Sequence, residues 1–135
     1  MPRPAPPKQT GSILLVEDDE FLRDLVVRKL EEAGFDIAIA KDGEAALKAA
    51  ATRIPDLILL DLVLPGMSGF ELIAKLREDE ATAKIPFIVL SNSAETQSKR
   101  ESRDMGAEGY LVKAQSTPVE IVEAIIGWFA RRPKA

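Results

Sequence analysis

The chain has 135 residues, enough for one domain with one substantial core. Its 22 acidic and 18 basic residues leave a formal net charge of −4, which gives no bulk attraction to nucleic acid or to anionic membrane. Neither cysteine nor histidine is present, so disulfides, thiol nucleophiles, His-dependent triads and His- or Cys-ligated metals are excluded; any chemistry must run on carboxylates, lysine, hydroxyls and a hard metal.

The first residues, 1–11, are rich in proline and predict a disordered, partly polyproline-like tail that is a docking arm, a spacer or a segment with no essential role, ahead of a single folded unit over 12–132. The N-terminus lacks the apolar stretch of a secretory signal, and no apolar run approaches the roughly 18 residues of a membrane span. The expected location is the cytoplasm.

From Ile13 onward strand and helix patterns alternate. Ile13–Val16 reads as the first strand. Glu20–Ala33 reads as a helix, with Phe21, Leu22, Leu25, Val26 and Leu30 at helical spacing and Gly34 as its stop. Asp36–Ala40 is the second strand, and Asp42 caps a helix through Ala51. Leu57–Leu60 is the third strand; Pro65-Gly66 turns the chain and Ser68 caps a helix through Glu78. Phe87–Leu90 is the fourth strand, followed by a polar helix over Ala94–Met105. That helix has no large apolar residue in its middle, so little burial holds it and it is the expected mobile element. Tyr110–Val112, entered through Gly109, is the fifth strand. Thr117-Pro118-Val119-Glu120 supplies an N-cap, a proline at the first helical position and a capping-box acid for a last helix to about Ala130.

Short, continuous apolar runs that alternate with helices read as buried parallel strands. The expectation is an α/β fold, (βα)5, doubly wound, with right-handed crossovers and a five-stranded parallel sheet in the order 2-1-3-4-5. Ligand groups in such a sheet gather at the carboxyl ends of the strands. Glu17-Asp18 follows the first strand, Asp61 the third and Lys113 the fifth, so three acids and a lysine should meet in one crevice. That is the composition of a Mg²⁺-dependent phosphoryl-transfer site. Asp19 and Glu20, next to the acidic pair, are instead expected to serve the start of the first helix, where the helix dipole favours negative charge.

Four strings in order resemble one family. They are Ile-Leu-Leu-Val-Glu-Asp-Asp at 13–19, Pro-Asp-Leu-Ile-Leu-Leu-Asp-Leu-Val-Leu-Pro-Gly-Met-Ser-Gly-Phe-Glu-Leu at 55–72, Ile-Pro-Phe-Ile-Val-Leu-Ser at 85–91 and Gly-Ala-Glu-Gly-Tyr-Leu-Val-Lys at 106–113. The chain is similar to the receiver domain of two-component response regulators, in its single-domain, chemotaxis-regulator-like form, with a flavodoxin-like fold. The resemblance implies that Asp61 is the phosphoacceptor, that Asp18 ligates Mg²⁺ directly and Glu17 through water, and that Asp61 and the backbone carbonyl of Val63 complete the protein's ligands. It implies that Lys113 pairs with the acceptor carboxylate and then with the phosphoryl oxygens, that Ser91 is the switch hydroxyl and that Tyr110 is the switch aromatic.

The implied partners are a histidine kinase or histidine phosphotransfer protein as donor, since this chain has no histidine, and a downstream protein. The latter would meet the face of the fourth helix, fifth strand and fifth helix. Trp128, near the end of the last helix, is either an interface anchor or a core-edge residue. No nucleic acid or membrane partner is expected, and the chain is expected to be a monomer or a phosphorylation-dependent dimer. It is no enzyme beyond its own phosphorylation and slow dephosphorylation.

Three residues depart from the family pattern. Ala114 stands where a proline with a cis bond is usual, and a trans bond is expected because cis costs roughly 3 kcal/mol before a non-proline residue. Asn92 stands where Ala or Gly is usual, and its larger side chain is expected to narrow access to Asp61. Val63 offers no polar side chain to orient an attacking water. Three rival readings remain. The chain could be a receiver cut from a hybrid kinase or transcriptional regulator. An aspartate-based phosphohydrolase would need a second acid at Val63. A flavodoxin-like flavin or nucleotide binder would need a glycine-rich phosphate loop, where this chain has Glu-Asp-Asp.

Overall fold

The computed structural model describes residues 11–132. In chain order the elements are β1 (Ser12–Val16), α1 (Glu20–Glu32), β2 (Asp36–Ala40), α2 (Gly43–Thr52), β3 (Leu57–Leu60), α3 (Gly69–Glu78), β4 (Phe87–Ser91), α4 (Thr96–Asp104), β5 (Gly109–Val112) and α5 (Pro118–Arg131), with a 3-10 turn at Lys113–Gln115. The five strands form one sheet in the order β2-β1-β3-β4-β5, and every pair is parallel. Register puts Val16 between Ala40 and Leu60, so the carboxyl ends of β1 and β3 lie side by side.

The unbroken apolar runs follow from helices on both faces. Leu14, Val16, Ile58, Leu60 and Val89 turn one way, onto Ala46 and Ala50 of α2 and Leu72, Ile73 and Leu76 of α3. Their neighbours Ile13, Leu15, Leu57, Leu59 and Leu90 turn the other way, onto Val26 and Leu30 of α1 and Ile121, Ile125 and Phe129 of α5. Each such side chain contributes about 1.5–3 kcal/mol on leaving water. The strand β2 lies at the sheet edge, and Asp36, Ala38 and Ile39 are exposed.

Side-chain caps fix three helix starts where the sequence placed them. Asp42 accepts from Ala45 N–H at 2.8 Å, Ser68 from Glu71 N–H at 3.1 Å, and Thr117 and Glu120 form the reciprocal capping box. Gly69 is needed for close approach: a Cβ there would lie 2.5 Å from the Asp61 carbonyl oxygen. That contact seats the start of α3 against the end of β3.

The structure corrects several sequence expectations. Phe21 is 78% exposed rather than on the buried face of α1; the first turn of α1 begins beyond the end of β1, with no strand beneath it. The fourth helix starts at Thr96 rather than Ala94, and β4 runs one residue further, to Ser91. Within α4 the sole buried residue is Ser102. Gly11 already belongs with the sheet, because its carbonyl accepts Asp36 N–H at 2.9 Å; the rest of the proline-rich tail lies outside the described residues. Trp128 packs at the core edge, edge-to-face on Phe129 with centroids 4.9 Å apart. Among the described residues there is no cis peptide bond, so Lys113–Ala114 is trans, in agreement with the expectation. No described helix is long and apolar enough to cross a membrane.

Candidate functional site

The sheet register builds the site. Asp61 N–H donates to the Val16 carbonyl at 3.1 Å, and Glu17 N–H to the Ala40 carbonyl at 3.1 Å. These bonds carry the ladder one residue past the strands and hold the two acidic positions together. Carboxylate oxygens of Glu17, Asp18 and Asp61 all lie within 4.8 Å of one another. Glu17 is 1% exposed and Asp61 5%, while Asp18 is on the exposed rim.

Lys113 closes the crevice from the end of β5. Its ammonium donates to Asp61 Oδ2 at 2.7 Å and approaches Glu17 Oε1 to 2.6 Å. The second contact is an ion pair rather than an aligned hydrogen bond, since Glu17 Oε1 has no hydrogen-bond partner. Other oxygens are engaged by backbone: Asp61 Oδ1 accepts Val63 N–H at 3.0 Å, and Glu17 Oε2 accepts Asp19 N–H at 3.1 Å. Burial lifts the Glu17 carboxyl above its ordinary value, against the opposing pull of Lys113 and the Asp19 amide. Burial by itself pushes Lys113 down, but its bonds to Asp61 and Glu17 outweigh it and leave the ammonium held above its ordinary value.

One lysine against three carboxylates leaves the crevice net negative. Two charges at the 4.8 Å limit of the cluster repel by of order 3–4 kcal/mol at an effective dielectric near 20. A hard divalent cation would relieve this. The donor set fits one: carboxylate oxygens suit Mg²⁺, and three carboxylates lie within 4.8 Å of one another with Lys113 as the single cation in contact with them among the described residues. Asp18, Asp61 and Glu17 are the residues that could hold it.

The other residues singled out from the sequence fall around this cluster. Ser91 ends β4, between β3 and β5, and its Oγ accepts Ser93 N–H at 3.1 Å. Tyr110 is half-buried on β5 and its hydroxyl donates to the Ser93 carbonyl at 2.7 Å. Ser91 and Tyr110 thus meet on Ser93 rather than on each other. The Val63 side chain is 74% exposed in the loop after β3, and Asn92 is exposed in the loop after β4. Asp19 is the N-cap of α1, accepting Leu22 N–H at 3.1 Å, with Glu20 in the first turn.

Sequence reasoning missed three features. The Glu17–Lys113 contact was one; its signal lies in the alternation, since Glu17 shares the parity of the buried Ile13 and Leu15. Ser93 was another, a hydroxyl two residues past a strand-end serine, which is a turn-forming pattern. Arg23 was the third: its Nε and Nη1 are buried without hydrogen-bond partners, and nothing in the sequence around it marks it.

A doubly wound sheet with clustered acids after β1 and β3 and a lysine after β5 gathers one nearly buried aspartate, two further acids and one cation at the carboxyl ends of its strands. The model of the response regulator receiver domain family matches residues 13–126, and the chain belongs to that family. It is 44% identical over 101 residues to the DNA-binding dual master transcriptional regulator RpaA of Synechocystis, covering 75% of this chain and 42% of the relative. It is 40% identical over 111 residues to the phosphate regulon transcriptional regulatory protein PhoB of Pseudomonas aeruginosa, covering 82% and 48%. The chain therefore spans less than half the length of these two relatives. Among solved structures it resembles the Mn²⁺-bound response regulator Rcp1, with TM-score 0.82 and 28% identity over 93% of this chain and 99% of that one. It also resembles the chemotaxis response regulator CheY4 of Vibrio cholerae, with TM-score 0.80 and 28% identity over 88% and 98%.

Proposed function

We propose that this chain is a phosphorylation switch whose acceptor is Asp61. The observation that carries the reading is the position of that carboxylate: nearly buried, at the end of β3, with Lys113 on one oxygen and Asp18 and Glu17 within 4.8 Å. The donor is a phosphohistidine on a histidine kinase or phosphotransfer protein. An Asp61 oxygen forms the new P–O bond, the P–N bond breaks, and the electron pair returns to the imidazole nitrogen, which then takes up a proton. Asp18, Asp61, Glu17 and the Val63 carbonyl would hold Mg²⁺, which would supply the charge neutralisation that an anionic nucleophile and an anionic electrophile require. Lys113 stays on the acceptor and follows the charge onto the phosphoryl oxygens. The Ser91 hydroxyl donates to a phosphoryl oxygen, and Tyr110 reports the change at the face formed by α4, β5 and α5, where a downstream protein docks.

The short, exposed Val63 side chain argues against a phosphohydrolase, which would carry its second acid there. A receiver within a longer regulator is a second setting compatible with the same chemistry, since RpaA and PhoB are more than twice the length matched here. The test is transfer of phosphoryl label from acetyl phosphate in the presence of Mg²⁺. Wild type takes one label per chain and Asp61→Asn takes none. Stable, stoichiometric label on Asp61→Asn would place the acceptor elsewhere.

A further inference from the structure

Gly43 is buried at the first position of α2, and its backbone does not call for a glycine, since it is not among the glycines with positive φ. Its neighbour does. A Cβ there would lie 2.3 Å from Met67 Cγ and 2.5 Å from Met67 Sδ. The glycine is a seat for the thioether. Met67 belongs to the loop that follows β3 and Asp61. That loop is closed on itself, because Gly69 N–H donates to the Leu62 carbonyl at 2.8 Å and Met67 N–H to the Pro65 carbonyl at 3.1 Å. Val63 lies inside it, with its N–H on Asp61 Oδ1 at 3.0 Å. One side-chain contact thus braces the loop of the acid crevice against α2.

Met67 is half-buried, and it lines an open hollow with Asp42, Glu44, Pro65 and Gly66. The chain has no cysteine, so thioethers are its only oxidisable sulfur, and among the described residues these are Met67 and Met105.

We propose that Met67 is an oxidation site for a hydroperoxide, and that its sulfoxide loosens the loop carrying Val63 and lowers the affinity of the acid crevice for Mg²⁺. The inference rests on the metal-assisted reading of Asp61 and adds a redox input to it. A lone pair of the Met67 sulfur takes the terminal peroxide oxygen. The S–O bond forms as the O–O bond breaks; sulfur loses two electrons, and the other peroxide oxygen takes up a proton and leaves as water or alcohol. Turned toward Gly43, the new oxygen finds no room. Turned into the hollow, it shares the space with Asp42 and Glu44, whose carboxylates repel it and cannot donate a hydrogen bond. Either way the thioether leaves its seat, and the closed loop moves with it.

The test treats the full chain with hydrogen peroxide, wild type beside Met67→Leu, Met67→Gln and Met105→Leu. Peptide mass mapping reads the site as the gain of one oxygen. Calorimetry reads Mg²⁺ affinity, and circular dichroism reads unfolding in EDTA. Oxidation of wild type at Met67 lowers Mg²⁺ affinity roughly tenfold, the usual worth of a group that holds metal ligands in place, and lowers the melting temperature in EDTA. The two epimer-specific methionine sulfoxide reductases restore both. Met67→Leu keeps the affinity and loses the response to peroxide, while Met105→Leu keeps the response. Met67→Gln, with a polar group on the same seat, lowers affinity without peroxide. The reductase arm reads the effect on the wild-type chain, whatever the fold of the variants.

Met67 left unmodified at a dose that oxidises Met105 overturns the proposal. So does a Met67→Leu chain that loses as much affinity on peroxide as wild type. Untreated wild type without Mg²⁺ heat overturns the metal reading and with it the claimed loss of affinity; a normal heat that oxidation of Met67 leaves unchanged overturns the redox claim alone.

Discussion

Lys113→Met tests the electrostatic argument directly. The substitution keeps much of the side-chain volume and removes the only cation that contacts Glu17 and Asp61 among the described residues. Breaking a buried ion pair from one side costs about 3–5 kcal/mol when the remaining charge stays buried. Here the protein has a cheaper exit. Glu17 is already held above its ordinary value of 4.5 by burial, and taking up a proton at pH 7 from that ordinary value costs about 3.4 kcal/mol. That figure caps the share of the penalty that falls on Glu17, and access of water past the 11% exposed lysine side chain lowers the whole penalty further. A loss of about 2–3 kcal/mol corresponds to roughly 10 °C in melting temperature for a domain of this size.

The sign with pH follows from the same group. A carboxyl whose folded value is raised binds its proton more tightly when folded, so lowering the pH favours the folded form. At pH 5 the cap on the Glu17 share falls to about 0.7 kcal/mol, and the deficit of Lys113→Met should narrow. Added Mg²⁺ should also narrow it, because positive charge returns to the acids. The assay is thermal unfolding by circular dichroism, wild type beside variant, in EDTA at pH 7 and pH 5 and in Mg²⁺ at pH 7. A variant that melts within about 2 °C of wild type at pH 7 in EDTA, or a deficit that is the same at both pH values, would refute the reasoning.

In wild type, saturating Mg²⁺ should raise the melting temperature, by about 2.7 kcal/mol of stabilisation at a hundredfold excess over its dissociation constant. Asp18→Ala should abolish most of the calorimetric heat of Mg²⁺ binding, and unchanged affinity would remove Asp18 from the ligand set. Val63→Asn should speed loss of phosphoryl label from Asp61 by roughly tenfold, about 1.4 kcal/mol of barrier, because a side-chain amide can orient the attacking water where valine cannot. Equal or slower decay would point to access past Asn92 as the factor that sets the lifetime.

The fold was legible because each local signal agreed with the next. The runs at 13–16, 57–60 and 87–90 are apolar on both parities, which only a sheet covered on both faces explains, and Asp42, Ser68 and Thr117 announced the helices between them. The convergence of Glu17, Asp18, Asp61 and Lys113 was legible for a topological reason: all follow strands, and parallel strands end on one side. What escaped depends on reach and on boundaries. Phe21 kept its helical spacing, but spacing does not reveal where the sheet beneath a helix stops. The Glu17–Lys113 contact depends on a long side chain crossing the ends of two strands. The Ser93 bonds run through backbone groups of an irregular loop, where residue type says little about the partner.

The distribution of burial explains how a small chemical event could reach the surface on the proposed reading. Inverting a resting population of one in a hundred takes about 5.5 kcal/mol of differential interaction. A phosphoryl group on Asp61 can supply that through two or three charge-assisted hydrogen bonds, from Lys113 and Ser91 among others, at about 1.5–3 kcal/mol each. The same sum could not shift β1, β3 or β4, whose side chains are closed in by helices on both faces. It is enough to shift an element fixed by a few hydrogen bonds and one buried serine, and α4 is that element. The switch therefore sits where the fold is weakest, one loop away from where the charge arrives.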